Sequence, residues 1–161
     1  FTLSNLLNIE TKNAAIIFGG VVVDFDKKFQ RYLAPKKLNQ IFKGMVFSHQ
    51  SVLIKVDLLK TRKYDLNFNI TADYDFFLGA YITGETFFEA DEIVSTVVNN
   101  GLSDNNHLKA CLEKIRVLKK YDFPFNKIVY LRLELLIILF KELVKYILPS
   151  SVISKIKKNK I

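Results

Sequence analysis

Cysteine is almost absent from this sequence: Cys111 stands alone among 161 residues. One thiol excludes an intramolecular disulfide framework and a cysteine-based metal cluster. It reads as a small core side chain on a helix, and a reducing compartment fits that use. Histidine is nearly as scarce, with only His49 and His107, so a histidine-rich metal site is excluded as well. Glycine-rich phosphate loops are missing, since neither GxGxxG nor GxxxxGK surrounds Gly19-Gly20. A long apolar run is missing too. Ile128 to Leu148 comes nearest, but Arg132, Glu134, Lys141, Glu142 and Lys145 leave only Leu135 to Phe140 unbroken. A membrane crossing needs about 20 largely apolar residues. Phe1 to Glu10 lacks the positive n-region and small-residue cleavage site of a secretory leader.

What is present is a chain one domain long, half of it hydrophobic, with Phe and Tyr supplying all the aromatic content. That is enough to build a substantial core. The formal net charge is +8 and unevenly spread: Lys141 to Ile161 holds six lysines against the single acid Glu142. A basic end of this kind suits an anionic surface. Within it, Tyr146, Ile147, Leu148, Val152, Ile153 and Ile156 alternate with lysines, the composition of an interfacial helix on anionic lipid. The same residues also suit a solvated end with one stripe on the core. Nucleic acid is not expected, because no recognisable binding motif accompanies the charge.

Hydropathy patterning predicts an α/β chain. Leu3 to Ile9 reads as the last turns of a helix, and Ala14 to Val23 as a strand buried on both faces. A polar turn over Asp24 to Lys28 follows, then a short helix over Pro35 to Phe42. Val46 to Lys55 reads as a strand broken by the polar block Ser48-His49-Gln50-Ser51. Val56 to Thr61 is a short helix, Arg62 to Asn69 a loop, and Ala72 to Ile82 a helix. The last of these has Thr71 as N-cap, Gly84 as its stop, and Phe76, Phe77, Ala80 and Tyr81 facing inward. Short strands are expected over Thr86 to Glu89 and Ile93 to Val98, and a loop over Asn99 to Asn106. Helices over His107 to Lys120 and Lys127 to Leu148, divided by Pro124 and closed by Pro149, complete the chain. No repeat appears, and no linker makes the tail a separate globular domain.

Three short stretches carry candidate chemistry. Asp73 and Asp75 lie two residues apart in a first helical turn, where acids also favour the positive end of the helix dipole by under about 1 kcal/mol each. His49 and Gln50 form a polar break in an apolar strand, and such breaks of local pattern concentrate at functional sites. A lone histidine there is otherwise a hydrogen-bonded core residue. Asn100-Gly101-Leu102-Ser103 is a turn-forming loop in which Gly101 suits a positive φ.

Taken in order, Phe47-Ser48-His49-Gln50, Tyr64-Asp65 through Asp73-Tyr74-Asp75, and Asn100-Gly101-Leu102-Ser103 resemble the acceptor half of family 2 glycosyltransferases. These are inverting enzymes of GT-A fold that build bacterial polysaccharides, and the resemblance covers roughly Ala14 to Lys120. It implies a partial GT-A (nucleotide-diphospho-sugar transferase-like) mixed sheet with flanking helices and a basic C-terminal helical tail. Residues 1–122 would form the acceptor-side portion and 123–161 the tail. Asp73 would be the catalytic base, with His49, Gln50 and Asp75 on the acceptor side and Gly101 and Ser103 in a loop near nucleotide and acceptor. His49 is a second candidate for the base, since its ordinary pKa near 6.5 suits that task.

The family departs from this chain at three places: Ala72 stands where many relatives carry Glu, Asn100 replaces a usual Gly, and Phe18-Gly19-Gly20 lacks an acid. No DxD triplet sits at a strand end; Asp24-Phe25-Asp26 has the letters but falls in the expected turn. The resemblance therefore implies a fragment lacking the donor half, and Phe1 as first residue reads the same way. Mg²⁺ or Mn²⁺ is expected for the full-length enzyme, with ligands outside this chain. The implied partners are a nucleotide-sugar donor, a glycan or lipid-linked acceptor, and the anionic inner face of the plasma membrane, in the cytoplasm. Two rival readings stand beside this one. A non-catalytic acceptor- or membrane-surface-binding module would bind without regard to Mn²⁺ and nucleotide. A basic surface-binding protein with no sugar function would bind with a steep salt dependence.

Overall fold

A computed structural model describes residues 13–25, 29–98 and 106–147. They form a mixed α/β protein that divides into two compact units, 1–105 and 106–161. The division lies upstream of the 122/123 boundary read from the sequence, because the helix after Asn106 packs on the one that follows it.

The first unit is built around one strand. β1 (Ile16–Asp24) is buried along most of its length, as its continuous apolar run rich in Ile and Val predicts. Along one edge it pairs antiparallel with β3 (Val52–Ile54) through Ile16 to Phe18, and with β2 (Gln30–Leu33) through Val21 to Asp24. Along the other it pairs parallel with β4 (Phe87–Val98). β2 has no counterpart in the sequence reading: all four of its residues are exposed, so no alternation of apolar and polar faces marks it.

β4 replaces the two short strands expected over Thr86 to Glu89 and Ile93 to Val98. The polar break between them is an irregularity within one strand, where β1 advances from Phe18 to Gly20 while β4 advances from Glu89 to Ile93. The glycines of β1 make this possible. A Cβ on Gly19 would lie 2.6 Å from the Glu92 carbonyl oxygen, and one on Gly20 2.5 Å from the Tyr32 ring. Gly19-Gly20 is thus a packing feature of the sheet.

α1 (Val56–Thr61) and α2 (Ala72–Ile82) have the predicted bounds. α2 buries Tyr74 through Ala80 almost all round, and full burial of a Phe or Leu side chain contributes about 1.5–3 kcal/mol. Tyr81, expected inward, is 39% exposed. Thr71 holds the N-cap position, but its side chain makes no capping bond; its carbonyl accepts from Asp75 N–H at 2.9 Å. Gly84 ends the helix as expected, at φ +79°. Its N–H donates to Tyr81 O at 3.2 Å and Glu85 N–H to Ala80 O at 3.0 Å, the paired bonds of a Schellman motif.

The short helix expected over Pro35 to Phe42 is a 3₁₀ turn at Leu38–Lys43 with Ile41 buried. The expected strand over Val46 to Lys55 is strand only at Val52–Ile54. An aromatic cluster joins sheet to helix: Phe47 stacks on Phe18 with ring centroids 4.4 Å apart and meets Phe77 edge-on at 5.1 Å.

The second unit is a helical hairpin of α3 (His107–Lys120) and α4 (Phe125–Ile147), joined through Pro124. Cys111 is buried, as predicted for a core thiol, and its Sγ lies 3.4 Å from the Leu131 carbonyl of α4. Among the described residues no helix is long and apolar enough to cross a membrane. The expected helix over Leu3 to Ile9, the loop from Asn99, Pro149 and the end of the tail lie outside the described residues.

Candidate functional site

The polar block Ser48 to Ser51 is a single 3₁₀ turn, His49–Ser51, with Ser48 as its N-cap, held at both ends. On one side Phe47 is locked into the aromatic cluster. On the other, Ser51 is fully buried, with its hydroxyl 3.1 Å from Gly19 O and 2.9 Å from Ser48 O. Ser48 caps the turn by accepting from Gln50 N–H at 3.3 Å. His49 and Gln50, between these anchors, face solvent.

The second component is the first turn of α2. Tyr74 is buried and donates its hydroxyl to Phe42 O at 3.0 Å, fastening that turn to the 3₁₀ segment Leu38–Lys43. Burial pushes the Tyr74 phenol far above its ordinary value, so it remains a donor. Asp73, one residue earlier, points the other way, its side chain 25% exposed.

The two components meet: His49 Nδ1 lies 3.0 Å from Asp73 Oδ2. The other carboxylate oxygen, Oδ1, accepts from Tyr74 N–H at 2.7 Å. Both oxygens of Asp73 are therefore engaged. The His49 side chain is 58% exposed and stands outside the carboxylate. The hydrogen bond to Asp73 raises the imidazole pKa above 6.5, partial burial opposes this, and the Asp73 charge adds to the rise. With Nδ1–H donated to the carboxylate, the ring's proton-accepting position in the neutral form is Nε2.

Tyr64 borders the same pair. Its ring stacks on Phe76 with centroids 4.9 Å apart, and its phenol is pushed up by burial and then by the Asp73 charge. Tyr64 had no assigned role in the sequence, although its place in the Tyr64-Asp65 pair was a signal. Asp65 itself shapes the loop, accepting from the backbone and side chain of Asn67 at 3.0 and 2.9 Å.

Asp75 is 3% exposed, within the buried stretch Tyr74 to Ala80 of α2. Gln50 is exposed beside His49, while Gly101 and Ser103 lie outside the described residues. No three His, Cys, Asp or Glu side chains converge to hold a metal ion among the described residues, so none is assigned to Mg²⁺ or Mn²⁺.

No protein-family model, no curated protein and no solved structure matches this chain.

Proposed function

We propose that this chain is the acceptor-side portion of an inverting glycosyltransferase of partial GT-A fold, in which the His49–Asp73 pair removes the proton from the attacking sugar hydroxyl. The reading rests on the resemblance of the three sequence stretches. Its structural support is the 3.0 Å contact that joins two residues 24 positions apart at an accessible edge. In such a transfer the hydroxyl oxygen forms a bond to the anomeric carbon, the bond to the nucleotide diphosphate breaks with its electron pair, and the hydroxyl proton goes to the base. The acceptor is a glycan or lipid-linked sugar, and the setting is the cytoplasmic face of a membrane.

By the resemblance the base is Asp73. One observation favours a second assignment within the same site: both Asp73 oxygens already accept hydrogen bonds, and the imidazole lies outside them. In that version Asp73 orients His49, Nε2 takes the proton, and the carboxylate stabilises the imidazolium, the division of labour found in nucleophile–His–Asp constellations.

Transfer from a nucleotide sugar, measured on the chain together with any sequence encoded upstream of Phe1, tests both. Asp73→Asn lowers transfer by about 10²–10⁴-fold if the pair is the base. Should His49 carry the proton, His49→Gln loses as much, and the wild-type rate climbs with pH through the raised imidazole pKa. Should Asp73 carry it, His49→Gln keeps most of the rate. Transfer unchanged in both variants, or absent from the wild type, removes the glycosyltransferase reading.

A further inference from the structure

Charge is segregated along the first unit. Arg31 to Lys63 holds eight lysines and arginines against one acid, Asp57, whereas Tyr64 to Val98 holds seven acids and no lysine or arginine. The sheet carries part of each segment to an opposite edge, β2 on one side of β1 and β4 on the other. Among the described residues no strand pairs with the outer edge of either. Arg31, Lys36 and Lys37 are exposed at the β2 side, and Glu89 and Asp91 on β4. None of these five forms a salt bridge among the described residues. Exposed apolar side chains accompany both sets, Tyr32 and Leu33 on β2 and Ile93 and Val98 on β4.

A charged edge ordinarily keeps strands from adding to it. Here each edge repels its own kind, but the two attract one another. Strand direction and register fit the same pairing. β2 runs antiparallel to β1 and β4 parallel to it, so a second copy shifted sideways in the same orientation lays its β2 antiparallel on β4. Across β1, Leu33 and Ser95 are both level with Val21, Tyr32 and Thr96 with Val22, and Glu89 is level with Phe18. Lys36 lies three residues beyond Leu33, as Phe18 lies three before Val21. The shift therefore brings Lys36 and Lys37 to the Glu89–Asp91 end of β4, and Tyr32 and Leu33 to Thr96 and Ser95. We infer that the outer edge of β4 is a docking surface for β2 of a second copy of this chain. The contact is heterologous, so it extends from copy to copy instead of closing at two. A pairing of four residues keeps it among small, weak interfaces, below about 1,200 Å². It is independent of the proposed glycosyl transfer.

Sedimentation equilibrium of the whole 161-residue chain over a range of protein and salt concentrations tests it. The mass is expected to rise above the monomer's 18.6 kDa with concentration and to fall as salt is added. Lys36→Glu with Lys37→Glu sets acid against acid, and Glu89→Lys with Asp91→Lys sets base against base. Each double variant is expected to weaken association by at least about tenfold, and the quadruple variant carrying both reversals to regain it. All four side chains are exposed, so the variants keep the wild-type circular dichroism spectrum. Rescue in the quadruple variant distinguishes edges that face each other from a general effect of net charge, which the double variants move in opposite directions. A wild type that stays monomeric at about 1 mM would overturn the inference, as would association indifferent to both reversals. Loss in the double variants without recovery in the quadruple variant would overturn the pairing of these two edges.

Discussion

His49 and Asp73 couple the stability of the first unit to pH, and the sign of that coupling follows from the direction of one pKa. The carboxylate holds the folded-state imidazole above its ordinary 6.5. A raised histidine pKa contributes stability that is fully present below the unfolded value and lost as pH rises through the folded one. The difference in thermal midpoint between wild type and Asp73→Asn should therefore be larger at about pH 6 than at about pH 9, where the imidazole is neutral in both states. A gap that is constant with pH would show that the 3.0 Å contact carries no charge in solution. Proton resonances of His49 give a direct reading, since Asp73→Asn should bring its titration down towards 6.5. Asp75 behaves differently although only two residues away. It is buried, and Asp75→Ala removes a buried polar side chain at a cost of about 1–3 kcal/mol. Urea unfolding of the two variants side by side separates the roles: Asp75→Ala shifts the midpoint most, while Asp73→Asn shifts it little and in a pH-dependent way.

At the scale of elements, three glycines make distinguishable demands. Gly84 has open space around its missing Cβ but φ +79°, so Gly84→Ala costs about 1–2 kcal/mol from backbone conformation alone. Gly19 has an ordinary φ but no room, with the Glu92 carbonyl oxygen 2.6 Å from any added Cβ. Backbone must move there, and Gly19→Ala costs about 1–3 kcal/mol as overpacking. Gly20 meets only the far end of the exposed Tyr32 side chain, which can swing away. Gly20→Ala should therefore cost under about 1 kcal/mol, and chemical denaturation that ranks Gly20 above Gly19 would contradict the tight crossing of β1 and β4. The same elements show what the sequence could carry. α1, α2 and α3 have the bounds read from the sequence because their patterning is local, although no side chain caps any of the three and only α2 ends at a glycine, Gly84. The strand β1 was legible because burial on both faces needs an unbroken apolar run. β2 was not, because an exposed edge strand is fixed by its partner's hydrogen-bonding groups and leaves no hydropathy pattern. His49 and Asp73 could each be singled out as breaks in pattern. Their contact could not be, since it depends on Phe47, Ser51 and Tyr74 being anchored to three different neighbours.

At the scale of the whole molecule, the net charge of +8 and the surface of the second unit point to a common consequence. α4 runs for 23 residues, about 35 Å, and turns Ile128 and Leu131 inward within its unit. Leu133, Leu136, Ile137, Phe140 and Leu143 recur at helical spacing and are exposed, Phe140 by 66%. An apolar stripe of that length exceeds the scattered apolar side chains of an ordinary surface. Arg132 and Lys141 lie along the same exposed helix, and the chain beyond it adds Lys155, Lys157, Lys158 and Lys160 with no acid. An apolar stripe on a helix with more basic than acidic residues, in a chain of net charge +8, has the composition that suits the headgroup region of anionic lipid, where each nearby Lys or Arg contributes about 1 kcal/mol. The whole chain should therefore sediment with vesicles containing phosphatidylserine and much less with uncharged phosphatidylcholine vesicles, and added salt should release it. Leu136→Glu with Phe140→Glu removes two exposed anchors without touching Ile128 or Leu131 and should lower vesicle partitioning by at least about tenfold, given about 1.5–3 kcal/mol for each side chain no longer buried. If the double variant and wild type partition alike, the basic residues alone hold the protein to lipid. If sedimentation without vesicles rises with protein concentration and the double variant abolishes it, the stripe meets a second copy of the chain, and the membrane assignment of this face is wrong.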